Sequence, residues 1–263
     1  MSTKSNKVNF FSSAASLLWQ YYFALQFGLT LLFCYPILVW AFQKPKRYPH
    51  ALRLQRIWAA YLLLVTGIRL QIIGQLPSPQ AGPVVFTPNH RNFLDILLMY
   101  SVVRSPFHFM AKAELAKLPM FGILFSKTHI PFNRQSSSAS SWAFRRALAD
   151  LKRGISLVVF PEATQNPSSD SLLPFKEGAF KLAEEANVPV VGVYFENNLQ
   201  RLPHQKNLFR WPGQGGPGQV RVRIMPPVSG PASYTQQAVR STMEAWMAES
   251  KQSKISARTS GIL

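Results

Sequence analysis

Two textures of hydrophobic and polar positions follow one another along the chain. No charged residue occurs between Val8 and Gln43, and Leu17 to Phe42 is a nearly unbroken run rich in Leu, Phe, Tyr and Trp. That run exceeds the roughly 20 apolar residues a bilayer crossing needs. Trp19, Tyr21 and Tyr22 near one end and Trp40 near the other suit the membrane interface. A second apolar stretch, Ile57 to Ile73, is shorter and contains Arg69; it is expected as an interfacial helix whose arginine snorkels to head groups. Past the turn-rich Gln75-Leu76-Pro77-Ser78-Pro79 the pattern changes to short apolar runs alternating with helical periodicity. It predicts strands at Val84 to Thr87, Phe107 to Met110, His129 to Phe132, Leu157 to Phe160, Val190 to Phe195 and Val220 to Met225. Helices are expected at Asn92 to Val103, Ala113 to Lys127, Ser138 to Arg153, Lys176 to Ala186 and Tyr234 to Ser253, and a Gly- and Pro-rich loop at Asn197 to Gln219. This alternation implies an α/β fold, a mixed central sheet flanked by helices. The expected organisation is an N-terminal membrane-embedded helical region over 1–75, a catalytic domain over 76–250 and a flexible basic tail over 251–263.

Charge sharpens the picture of partners. Lys and Arg total 29 against 11 Asp and Glu, a formal charge of +18, and residues 1–94 contain no acid at all. Such an imbalance calls for an anionic partner. The basic residues border apolar runs rather than interleaving with exposed aromatics, which favours anionic membrane lipids and argues against nucleic acid. Lys44-Pro45-Lys46-Arg47 directly after the apolar run places the rest of the chain on the cytoplasmic face by the positive-inside rule. A cleaved secretory signal fits poorly, because the run is too long and lacks a small-residue cleavage site. One crossing, a helical hairpin and insertion into one leaflet all remain open. The single cysteine, Cys34, lies in the apolar run and leaves no disulfide, thiolate metal site or cysteine nucleophile.

Asp95 is the first acidic residue of the chain, and it stands in the apolar helical run Phe93-Leu94-Asp95-Ile96-Leu97-Leu98-Met99. A carboxylate there is costly to bury without a partner. His90 follows a predicted strand and Pro88, so it sits in the turn entering the helix, with Asp95 one to one and a half turns on. The carboxylate can bend back to one imidazole nitrogen, fix the tautomer and leave the other nitrogen as an acceptor. That is the base half of a catalytic triad without its serine. No G-x-S-x-G elbow is present, so the attacking hydroxyl must come from the substrate. The bland reading has Asn89 or Asn92 capping the helix while His90 and Asp95 satisfy one another in a packed interior. Ser136-Ser137-Ser138 reads as a loop with a helix cap, and His108 and His129 as structural.

Asn89-His90-x4-Asp95 resembles the first motif of the glycerolipid acyltransferases, especially the 1-acylglycerol-3-phosphate O-acyltransferases. Lys112-Ala113-Glu114-Leu115, Pro119, Gly122 and Ile130-Pro131-Phe132-Asn133-Arg134 resemble the second motif, and Phe160-Pro161-Glu162-Ala163-Thr164 the third. Pro174 to Phe180 and Val188 to Val193 follow as the family's later elements do. Three positions depart from the pattern: Ala163 replaces a glycine, Gln165 a phosphate-binding arginine, and Gly192 a common proline.

The resemblance implies the glycerolipid acyltransferase fold and a membrane-bound enzyme without cofactor. His90 would be the base and Asp95 its orienter, with Arg134, Glu162, Thr164 and Lys112 as substrate-binding residues. The acyl thioester donor would be acyl-CoA or acyl carrier protein, and the lysolipid acceptor most simply 1-acylglycerol-3-phosphate, acylated at its sn-2 hydroxyl to give phosphatidic acid. On residue type alone, Glu162 also reads as a turn-capping carboxylate and Arg134 as a solvated surface arginine. Phe93, Leu97, Leu98, Met120, Phe121, Leu124 and Phe125 read either as an acyl-chain groove or as ordinary core. The rival functions are acylation of another lysophospholipid or a lyso-aminolipid, lysolipid hydrolysis, and a non-catalytic membrane-binding module.

Overall fold

A computed structural model describes residues 3–114, 122, 129–132, 136–203 and 215–259, with side chains for those from 14 to 253 and for 255 and 256. The chain opens with helix α1 (Thr3–Phe42), which passes through a single 3-10 turn at Pro45–Arg47 into α2 (Tyr48–Val65). The two helices pack side by side. Trp58 Nε1 donates to Thr30 Oγ1 at 2.7 Å, Trp19 Nε1 donates to the Thr66 carbonyl at 2.9 Å, and the Phe27 and Trp58 rings lie 5.0 Å apart. Phe23, Leu31 and Leu38 are buried, whereas Leu18, Leu32, Phe33, Ile57 and Leu64 are exposed, so the pair presents an apolar outer face. The segment Ala14–Phe42 is long and apolar enough to cross a membrane by length and composition.

The second apolar stretch differs from the continuous helix expected through Ile73. Helix α2 stops at Val65, and strand β1 (Ile68–Ile73) begins three residues later. Gly67 makes the break: its φ is +70°, and a Cβ there would sit 2.8 Å from Pro217, a conformation and a closeness that favour glycine. Strands β2 (Val85–Pro88), β3 (Phe107–Lys112), β4 (Ile130–Phe132), β5 (Ser156–Val158), β6 (Val190–Phe195) and β7 (Gly218–Ile224) complete a seven-stranded sheet. Its order is β1-β7-β6-β2-β5-β3-β4. The five strands from β6 to β4 are parallel, β7 is antiparallel to β6, and β1 runs parallel to β7. The mixed sheet flanked by helices is the architecture the alternation predicts. Of the expected helix over Ala113 to Lys127, residues 115–121 and 123–127 lie outside the described residues.

Alternation along the strands builds two cores, because successive side chains point to opposite faces. Phe86, Phe107, Phe109, Val158, Val191, Val193 and Phe195 pack on α1, α2 and α3 (Leu94–Val102). Val85, Leu157, Val190 and Tyr194 pack on α4 (Ser137–Lys152), α5 (Gly178–Ala186) and α6 (Ala232–Thr259). Ser136 Oγ caps α4 through the Ala139 amide, as the serine cluster suggests. Helix α6 runs on to Thr259, so residues 251–259 are helical where a flexible tail was expected. Gly192 has a steric reason: a Cβ would stand 3.1 Å from Val239 of α6 and 3.4 Å from Met225.

Buried Asp150 ties α4 to β3. Its carboxylate contacts His108 Nδ1 at 2.9 Å and Arg146 Nε at 3.2 Å. Burial by itself would raise its pKa, but the contacts with His108 and Arg146 outweigh that and hold the carboxyl below its ordinary value. A depressed folded pKa contributes stability that is present above the unfolded value, near 4, and is lost as pH falls through the folded one. Asp150→Asn is therefore expected to cost about 1–3 kcal/mol near neutral pH. Urea unfolding in detergent should show the gap between variant and parent narrowing below about pH 4.

Candidate active site

Strand β2 delivers the turn that carries His90, and side-chain bonds fix where it ends. Asn89 Oδ1 accepts from the Phe195 amide at 2.7 Å and its Nδ2 donates to the Phe195 carbonyl at 3.2 Å, which locks the end of β2 to the end of β6. Asn92 Oδ1 accepts from the Leu94 amide at 3.0 Å and opens α3. Asp95 on the first turn of α3 then folds back. Its Oδ2 accepts from His90 Nδ1 at 2.9 Å, from the Arg91 amide at 2.6 Å and from the Asn92 amide at 3.1 Å, while Asn198 Nδ2 donates to Oδ1. The carboxylate is fully buried and the His90 side chain is 15 % exposed. An ionised carboxylate only accepts, so the proton sits on Nδ1 and the lone pair on Nε2.

The third motif clamps the backbone of the first. Glu162 Oε1 accepts from the His90 amide at 2.9 Å, and its Oε2 accepts from Asn166 Nδ2 at 2.9 Å and from the Leu173 amide at 2.8 Å. The Asn166 amide in turn donates to the His90 carbonyl at 2.8 Å. Glu162, expected to meet the acceptor, is thus 3 % exposed with both oxygens engaged inside the protein. The Phe160 ring stacks on the imidazole with centroids 3.9 Å apart, covering one face of the ring. Arg91, also buried, donates to the carbonyls of Ser168 and Ser171 and holds the loop that carries Asn166.

His90 lines a cavity of about 960 Å³ at the carboxyl ends of β2, β3, β4 and β5, where ligands enter open α/β sheets. Lys112, at the end of β3, and Thr164 line it as well, as does Gln165. Arg134 lies outside the described residues, as do Met120, Phe121, Leu124 and Phe125. Leu97 and Leu98 are core residues, 2 % and 0 % exposed, and Phe93 packs edge-on against Phe27 of α1. The apolar lining comes instead from Ile96, Phe109, Phe132, Phe144, Val159 and Leu182. His108 is held by Asp150. His129 accepts from the Phe109 amide on Nδ1 and meets the Tyr100 hydroxyl with Nε2 at 3.1 Å.

Two residues of this site escape sequence reasoning. Asn198 stands in the stretch read as a loop, with no fixed spacing to His90, yet it is 1 % exposed and completes the shell around Asp95. Phe160 belongs to a recognised motif, but its stacking on the His90 ring has no signature in spacing. Ala163 accounts for one motif departure: its φ is +63°, a region that favours the glycine it replaces.

Fold and site together define an α/β domain with a carboxylate-oriented histidine opening on a cavity. The Acyltransferase family model matches residues 69–196, a range that contains every recognised motif, and these residues form an acyltransferase-family domain. It is 33% identical over 180 residues to the mouse (Mus musculus) 1-acyl-sn-glycerol-3-phosphate acyltransferase alpha, covering 68% of this chain and 60% of that protein. The human (Homo sapiens) protein of the same name is 30% identical over 179 residues, 67% of this chain and 61% of its own length. The matched part thus spans about three fifths of these relatives. The crystal structure of the 1-acyl-sn-glycerophosphate acyltransferase of Thermotoga maritima superposes with a TM-score of 0.74 at 22% identity, covering 91% of this chain and 98% of that one. It shares the fold.

Asn198→Ala leaves one oxygen of a buried carboxylate without its donor and is expected to cost about 1–3 kcal/mol. Ala163→Gly relieves a strained backbone and is expected to gain about 0.5–1 kcal/mol after the entropy of the freer unfolded chain is counted. Chemical unfolding of both variants beside the parent checks the opposite signs.

Proposed function

We propose that the protein is a membrane-bound acyltransferase that moves a fatty acyl group from an acyl thioester to a lysolipid hydroxyl. The observation that carries this reading is the geometry of His90: Nδ1 is held by a buried carboxylate at 2.9 Å, and the ring faces a cavity with both apolar and cationic lining. An aliphatic chain and an anionic head group each find matching chemistry there. The names of the relatives agree, and they suggest 1-acylglycerol-3-phosphate as the acceptor and phosphatidic acid as the product.

In the proposed step His90 Nε2 takes the proton of the acceptor hydroxyl as that oxygen attacks the thioester carbonyl. Asp95 stabilises the imidazolium that forms. The tetrahedral intermediate collapses, the C–S bond breaks, the new ester remains, and the proton passes to the departing thiolate. Lys112 and Thr164, on the cavity wall, take the acceptor's phosphate through charge-assisted hydrogen bonds, and Arg134 is assigned to the same task from its place in the second motif. Glu162 serves by holding the His90 backbone. The apolar outer face of α1 and α2 enters the lipid, with the catalytic domain on the cytoplasmic side.

Purified enzyme offered thioester donors and a set of lysolipids, with products identified by mass, tests the reading. A diacyl lipid is expected, best with 1-acylglycerol-3-phosphate; free fatty acid as the main product overturns transfer in favour of hydrolysis. His90→Ala should lower kcat roughly a hundred- to ten-thousand-fold while the protein stays folded.

A further inference from the structure

The cavity beside His90 has two unlike sides. Ile96 of α3 belongs to the helical layer shared with α1 and α2, the layer with the exposed apolar face. The opposite wall is built by α4 and the segment leading into α5, in the layer on the far side of the sheet. Three cations line that far wall: Arg145, Lys176 and Lys181. Lys181 is paired with Glu177 at 2.6 Å. Arg145 and Lys176 are exposed, and no carboxylate among the described residues pairs with either. Arg145 contrasts with its neighbour Arg146, which turns back to Asp150. The base of Lys176 is fixed, since its amide donates to the Pro161 carbonyl at 2.8 Å, beside the turn that holds the His90 backbone.

Two substrates must meet at His90 in the proposed reaction, and this inference rests on that reading. A lipid acceptor arrives from the layer of α1 and α2. A water-borne acyl thioester must then come from the other side, past α4 and α5. Both biological kinds of thioester carrier end in a phosphopantetheine arm, which sets the thioester at one end and a phosphate at the other. With the thioester at His90 the phosphate lies away from the base, towards solvent, where exposed cations lose little hydration when empty and gain charge-assisted hydrogen bonds when filled.

We propose that Arg145 and Lys176 form the site for the phosphate of the donor's phosphopantetheine arm, separate from Lys112, which serves the acceptor. Donor and acceptor anions then occupy different walls of one cavity.

Steady-state kinetics of the full-length enzyme with Arg145→Gln, Lys176→Gln and the double variant test this. Three donors with the same acyl chain are compared: acyl-CoA, acyl-phosphopantetheine and acyl-pantetheine, which lacks the phosphate. The double variant should lower the preference for acyl-phosphopantetheine over acyl-pantetheine about ten-fold in kcat/KM, the scale of one or two charge-assisted bonds. The loss should appear in the donor KM rather than the acceptor KM. Equilibrium binding of CoA to the detergent-solubilised protein should weaken by a similar factor, independently of turnover. A rise in acceptor KM alone overturns the assignment and moves the cations to the lipid head group. A loss confined to acyl-CoA overturns it in favour of the nucleotide phosphates, and an equal loss with all three donors reduces the pair to a structural role. If the parent enzyme transfers from none of the donors, the transferase reading itself fails, and that result is distinct from variants that simply follow an active parent.

Discussion

One oxygen of one carboxylate holds the functional part of this molecule together. Oδ2 of Asp95 accepts from the His90 ring and from two consecutive backbone amides, while Asn198 donates to the other oxygen, all in a fully buried setting. Removing an ionised carboxylate from water is expensive, and only a full complement of donors makes it tolerable. The same bonds that satisfy the charge therefore shape the turn from β2 into α3 and set the angle of the imidazole. A residue chosen only to solvate Asp95 and one chosen only to aim His90 would be the same residue here, because the two tasks share one atom. Asn89 adds the outer condition: by locking the ends of β2 and β6 together it fixes where the turn begins.

Scarcity of acid links this local arrangement to the charge of the whole chain. With 11 carboxylate residues against 29 Lys and Arg, every buried acid is committed to the fold. Asp95 shapes the turn, Asp150 ties β3 to α4, and Glu162 staples the third motif to the first. Glu196 gathers Arg221 and Arg223 of β7 with Ser250 of α6. Few acids remain to neutralise cations at the cavity rim, so those cations stay available to an anionic ligand. Under the proposed function, a positive charge of this size serves both as a long-range attraction for anionic lipid and as a local supply of cations on the cavity wall.

The strands of the sheet were legible because each alternates or bunches its apolar residues between clear turn signals, as in Val190 to Phe195. Strand β1 was not: Ile68–Ile73 continues an apolar helix with only Gly67 to mark the break, and periodicity over six residues does not separate a strand from the end of a helix. His90 and Asp95 were legible because local spacing dictates their meeting, and the conspicuous cost of a lone acid in an apolar run demanded it. Asn198 was not, since a polar residue in a Gly- and Pro-rich stretch carries no sign of which buried group it will reach across the sheet. Glu162 shows a third case. Its place in a motif marked it as important, but a carboxylate that meets substrate and one that clamps backbone amides look alike until the partners are seen.

The amino-terminal helices matter to the site through shared packing, since none of their described residues lines the cavity. Phe27 of α1 meets Phe93 edge-on at 5.1 Å, one residue before α3 begins, and α2 packs along α3 itself. Ser16 of α1 accepts from the Gly215 amide, and Gly216 donates to the Arg201 carbonyl, next to Leu202, whose own carbonyl takes the Asn92 side chain. The helix that carries Asp95 and the helices that carry the apolar outer face consequently share one core. With that face in lipid, as proposed, the orientation of His90 relative to the bilayer is set by the same side chains that stabilise the fold. Close packing transmits displacement instead of absorbing it, so His90 keeps its place relative to the apolar outer face as long as this core stays intact.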